Sequence, residues 1–133
     1  MIVKAYEKSI HIEAMKTLLK RLPVRHATYA KVSKEIWTTT ARDLGEDIVF
    51  RELEKVRLPY NHAVFHKLLL YAENAFELDI LLLTPFGAVI LEVKNITGEL
   101  EFFENPAQLV QTKDNGDINK YSCPATQLNE YKY

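Results

Sequence analysis

The stretch Asp79-Ile80-Leu81-Leu82-Leu83-Thr84-Pro85-Phe86-Gly87-Ala88-Val89-Ile90-Leu91-Glu92-Val93-Lys94 decides how this chain is read. Two apolar runs flank a Pro-x-Gly turn, which makes them the arms of an antiparallel hairpin. Asp79 heads the first run, and Glu92 and Lys94 close the second. Strands this apolar read as buried on both faces, where charged side chains carry a large desolvation cost. A bound cation with a polarised water would compensate them, so the pattern points to a metal-dependent site.

Side chains alternate across a strand, so Glu92 and Lys94 share one face while Leu91 and Val93 point to the other. The turn admits two registers. If Pro85 and Phe86 alone form the loop, Asp79 falls opposite Glu92 with Cβ atoms roughly 5 Å apart, and both carboxylates face one ion. A type I turn followed by a left-handed Gly87 shifts the pairing by one residue and turns Asp79 to the wrong face unless a second bulge corrects it.

A chain of 133 residues, 47% hydrophobic and 26% charged, suits one soluble globular domain. Its single cysteine, Cys123, precludes an internal disulfide, and neither a leader nor a membrane-length apolar run is seen, so a cytoplasmic location is expected. The net charge of −1 provides no general attraction to nucleic acid. Lys16, Lys20, Arg21, Arg25, Lys31 and Lys34 nevertheless cluster near the N-terminus. They read as a solvated helix face or as a phosphate contact.

Apolar residues at helical spacing predict a helix over Ile12–Leu22, ended by Pro23. A second helix is predicted from Thr39 or Thr40, either of which suits its cap, to Val56, with Leu44, Ile48, Val49, Leu53 and Val56 as the buried stripe and Glu46 aboard. Ala63–Phe65 and Leu68–Tyr71 read as one strand with a bend. After the hairpin, a strand spans Leu100–Phe103 and Asn105-Pro106 breaks it. Asp114-Asn115-Gly116-Asp117 joins Leu109–Thr112 to Ile118–Tyr121 as a second hairpin. Pro124 opens a last helix that carries Gln127 and Tyr131 one turn apart.

This order resembles the PD-(D/E)XK nuclease superfamily and, more narrowly, the nuclease-related domain, NERD. The resemblance rests on Leu78–Asn95 with Gly98, on Gly45-Glu46, and on Pro124 with Gln127, and it covers roughly Ala41 to Tyr131. It implies an α/β fold with a restriction-endonuclease-like αβββαβ core. The N-terminal 38 residues would form a helical extension and residues 39–133 the nuclease-related domain. The core reads as incomplete, with a short second helix and no final strand. That makes the chain either a piece of a longer protein or one that closes its sheet with another copy, forming a homo-oligomer through the open edge. The family's usual tryptophan after the Gly98 position is also absent: the region reads Phe102-Phe103-Glu104, and the chain's tryptophan is Trp37.

Carried over by position, the resemblance makes Asp79 and Glu92 metal ligands and Lys94 the catalytic lysine. Glu46 becomes the helix carboxylate, and Gln127 with Tyr131 the pair that helps place the nucleic acid or the lysine. The expected activity is Mg²⁺-dependent phosphodiester hydrolysis in DNA. Hard carboxylate oxygens, with the Val93 carbonyl, suit Mg²⁺ or Mn²⁺, and no thiolate or histidine cluster competes for zinc. The alternative is a non-cleaving module that keeps the fold for nucleic-acid binding or assembly.

Each residue also has a purely structural reading. Asp79 and Lys94 can form a plain buried ion pair, which leaves Glu92 unexplained. Glu46 can be solvated, Gln127 can bond backbone and Tyr131 can simply pack. His62 and His66 have a zinc-like spacing for a helix, but their segment reads as a strand. Cys123 lacks a base partner for nucleophilic work.

Overall fold

The structure, a computed structural model, describes residues 1–131, so the predicted end of the last helix at Tyr133 lies outside the described residues. The chain forms two compact units, Met1–Asn95 and Ile96–Tyr133.

The first unit runs β1 (Ile2–Lys4), α1 (Ile10–Arg21), α2 (Tyr29–Lys55), β2 (Ala63–Tyr71), β3 (Ala75–Thr84) and β4 (Gly87–Leu91). The strands form one sheet in the order β1-β2-β3-β4, with β1 parallel to β2 and the other pairs antiparallel. Helix α2 buries Phe50 against Val64 of β2 and Ile80 of β3, with Val49, Leu53, Leu82, Leu91 and Val93 around them. Burial of an aromatic and several aliphatic side chains supplies the driving force here, about 1.5–3 kcal/mol for each one fully buried.

The hairpin takes the two-residue loop. Thr84 pairs with Gly87 and the register runs without a slip to Ile80 opposite Leu91, which excludes the three-residue turn. Gly87 has φ +149°, a value that favours glycine, and Thr84 Oγ1 accepts from Phe86 N–H and donates to the Gly87 carbonyl. The expectation that both runs are buried on both faces is corrected for both: Leu83 of β3 is exposed, and β4 departs further. It is an edge strand whose Gly87, Ala88 and Val89 are exposed.

Helix α2 departs furthest from expectation. It begins at Tyr29, ten residues before the predicted cap, and passes unbroken through Thr38-Thr39-Thr40. The hydroxyls of Thr38 and Thr40 bond back to the carbonyls of Glu35 and Ile36, so residues that look like caps are satisfied within the helix. The expected buried stripe is also wrong in part: Leu44, Ile48 and Val56 are exposed. The inward face instead carries Val32, Thr39, Asp43, Gly45, Glu46 and Phe50. A polar inward face has to be bonded, and α2 meets bonding partners for both acids on β2.

The second unit is an antiparallel meander, β5 (Glu99–Glu104), β6 (Ala107–Thr112) and β7 (Ile118–Ser122), followed by α3 (Pro124–Glu130). Asn105-Pro106 forms the turn of the β5–β6 hairpin rather than merely ending a strand. Gly98, at φ +93°, sits where a Cβ would lie 2.5 Å from the Thr112 carbonyl oxygen, which admits only glycine. Leu109 and Val110 are buried, as is Gln111, whose amide donates to the Thr97 carbonyl and accepts from Asn119 and Tyr121.

Candidate active site

Asp79, Glu92, Lys94 and Glu46 all belong to the first unit. One register step beyond Ile80 and Leu91, Asp79 would face Glu92, and there the chain leaves the ladder. The Val93 N–H donates to Asp79 Oδ2 at 2.8 Å. Leu91 and Val93 join the apolar core, so the intervening Glu92 and the following Lys94 point away from it together, as alternation requires. Lys94 Nζ lies 2.5 Å from Glu92 Oε1.

The electrostatics are those of a site holding more negative charge than it neutralises. The Glu92 side chain is only 5% exposed, and its Oε2 is buried without a hydrogen-bond partner among the described residues. An ionised carboxylate oxygen left this way is costly. Burial pushes the Asp79 carboxyl up to about 6; the Val93 N–H opposes this, the Glu92 and Glu46 charges add to it, and Lys94 offsets part of it. The site therefore has one orphaned oxygen and one carboxylate reluctant to ionise.

Glu46 is not solvated. Its side chain is 1% exposed, and its Oε2 receives His66 Nε2 at 3.1 Å and Lys67 Nζ at 3.3 Å. His66 is itself fully buried, and its Nδ1 accepts from the Glu7 N–H, so the ring hydrogen sits on Nε2 and is donated to Glu46. His62 stays apart, bonded to the Tyr60 carbonyl. Among the described residues no three His, Cys, Asp or Glu side chains converge as a ready-made metal cage.

Asp43, Lys67 and Tyr6 are not among the residues that the sequence singles out. Lys67 sits between the pairs His66–Ile80 and Leu68–Leu78 with φ +48°, so its ammonium turns to α2 and meets Asp43 Oδ1 at 2.7 Å. This is the expected bend in β2. Asp43 also accepts from the Tyr6 hydroxyl and the Ser9 N–H. Burial raises its carboxyl, but the bonds from Lys67 and Tyr6 outweigh that and hold it below the ordinary value. Burial lowers the Lys67 ammonium while Asp43 and Glu46 more than reverse it, leaving the net shift upward. The available signal was His66-Lys67 inside an apolar strand, the same anomaly that picked out Asp79.

Gln127 and Tyr131 belong to the second unit. Their predicted shared face is present: Gln127 Nε2 donates to Tyr131 Oη at 2.7 Å. Cys123 is buried at the start of α3.

The fold is mixed α/β, and its first unit carries a strand carboxylate, a Glu-x-Lys segment and a buried helix carboxylate. Residues 41–133 match the model of the nuclease-related domain, and the chain belongs to that family, NERD, within the PD-(D/E)XK superfamily. No curated protein and no solved structure matches it. No helix among the described residues is long and apolar enough to cross a membrane.

Proposed function

We propose that this domain is a divalent-ion-dependent nuclease that hydrolyses phosphodiester bonds in DNA. The observation that carries the reading is the buried Glu92 Oε2, without a hydrogen-bond partner among the described residues, in a site it shares with the half-buried Asp79. Both oxygens are hard donors, and with the Val93 carbonyl they would hold Mg²⁺ or Mn²⁺, ions that need only one or two protein carboxylates and take water for the rest. Such an ion supplies Lewis acidity, polarising a phosphoryl oxygen and making water a better nucleophile at neutral pH.

The remaining chemistry belongs to the chain. Val93 N–H fixes the Asp79 carboxylate, so that ligand is oriented before anything binds. Lys94 places an ammonium 37% exposed at the edge of the acidic pair, where it meets an incoming anion and opposes the charge that builds on the phosphorus oxygens. Glu46, fixed by His66 and Lys67, adds a negative charge that helps to raise the Asp79 carboxyl. Gln127 and Tyr131 are assigned to substrate placement on the family pattern.

Labelled single- and double-stranded DNA incubated with Mg²⁺, Mn²⁺ or EDTA, beside Lys94→Ala, tests this. Cleavage with either ion, lost in EDTA and in the variant, is expected. Intact DNA in every ion, or full activity in the variant, contradicts it.

A further inference from the structure

Charge in this chain is segregated. Residues 14–34 contain six lysines and arginines and no acid, while the remainder carries the surplus that brings the total to −1. In the structure these cations occupy the end of α1, the connection that follows and the start of α2. Lys16 pairs with Glu13, but Lys20, Arg21, Arg25, Lys31 and Lys34 are all exposed and make no ion pair with any described residue. Five neighbouring cations without counter-charge repel one another, and an outside polyanion is what relieves that repulsion.

The placement adds direction. At about 100° per residue, Lys31, Lys34 and Arg42 fall within an arc of about 80° on α2. Arg42, itself exposed, ends this track, with its guanidinium 3.9 Å from Glu46. The one acid between Lys31 and Arg42, Glu35, lies just outside this arc and contacts His11 at 3.4 Å. The strand end that carries Lys94 crosses α2 at this same level: Asn95 donates to the Ala41 carbonyl and packs on Gly45. From Ala41–Gly45 back to Lys31 is 10–14 residues, roughly 15–21 Å of helix. A nucleic-acid strand with a phosphate about every 3.4 Å spans that with four to six phosphates.

We infer that Lys20, Arg21, Arg25, Lys31, Lys34 and Arg42 form a phosphate track that grips the DNA strand to one side of the cleavage site. Choosing nucleic acid as the polyanion rests on the nuclease reading. The track lies almost wholly before residue 41, outside the matched family region, so it is a feature of this chain's own N-terminal helices.

The experiment is binding of labelled DNA in EDTA, where cleavage plays no part, across about 50 to 200 mM salt. It compares the full chain with a variant carrying Lys20→Gln, Arg21→Gln, Lys31→Gln and Lys34→Gln, and with a control carrying Lys55→Gln, Arg57→Gln, Lys113→Gln and Lys120→Gln. Circular dichroism confirms folding in each. The track variant should bind weakly, with a salt slope flattened by about 0.7–0.9 for each phosphate that is no longer neutralised, while the control keeps most of the native slope. Equal loss in both variants, no DNA binding by the native chain, or preference for anionic phospholipid vesicles over DNA overturns the inference. Track-dependent binding without cleavage in Mg²⁺ sinks the nuclease proposal alone. Cleavage with a native salt slope in the track variant sinks the track alone.

Discussion

At the scale of single residues, the site is a balance between Asp79, Glu92 and Lys94. The Asp79 carboxyl, raised to about 6 from an unfolded value near 3.8, binds more protons folded than unfolded between those limits. Stability of the ion-free protein therefore falls as pH rises from about 4 to 6, the reverse of an ordinary salt-bridged aspartate. Asp79→Asn should flatten that slope and raise ion-free stability above pH 6; urea unfolding at several pH values checks it, and a slope unchanged in the variant removes Asp79 as its source. On the proposed mechanism, Lys94 acts on charge that develops in the transition state. Lys94→Ala should keep ion affinity while kcat falls on the order of 10²–10³-fold, and Lys94→Arg should recover only part, because a planar fork does not replace a compact ammonium. Native kcat in the alanine variant would make the Glu-x-Lys arrangement structural.

At the scale of elements, the hairpin was legible and α2 was not, for different reasons. Pro85 and Gly87 limit the turn to two registers, and the apolar alternation around them leaves little else to choose. The start of α2 was hidden because Thr38-Thr39-Thr40 resembles a cap, and its buried face was misread because apolarity points to Leu44 and Ile48 while the helix buries Asp43 and Glu46. Strand β1 is three residues long, too short to carry a period. Those hidden acids set a prediction. Lys67→Met leaves Asp43 and Glu46 buried without their shared cation and should cost about 3–5 kcal/mol in urea unfolding; a loss under about 1 kcal/mol would show the network is not needed. Gly45 sets another, because a Cβ there would lie 2.6 Å from Asn95 Cβ. Alanine is the better helix former by about 1 kcal/mol, yet Gly45→Ala must push the segment bearing Lys94 away. Helix content should hold while kcat/KM drops on the order of 100-fold, and activity within twofold of native would refute the close approach.

At the scale of the whole molecule, the proposed site residues fall in both units. Every proposed ion ligand lies in Met1–Asn95, and Gln127 and Tyr131 lie in the second unit, bonded to each other. The proposed ligands stand out in the sequence because charge at the edge of an apolar hairpin is costly. The residues that hold Glu46 do not stand out, because His66 and Lys67 reach it only when β2 and α2 pack. The most direct test is calorimetric titration of the ion-free protein with Mn²⁺, comparing the native chain, Glu92→Ala and Gln127→Ala at neutral pH. One binding event is expected in the native chain, its loss in Glu92→Ala without unfolding, and native affinity in Gln127→Ala. Unchanged Mn²⁺ affinity in Glu92→Ala would contradict the claim that Asp79 and Glu92 form a divalent-ion site.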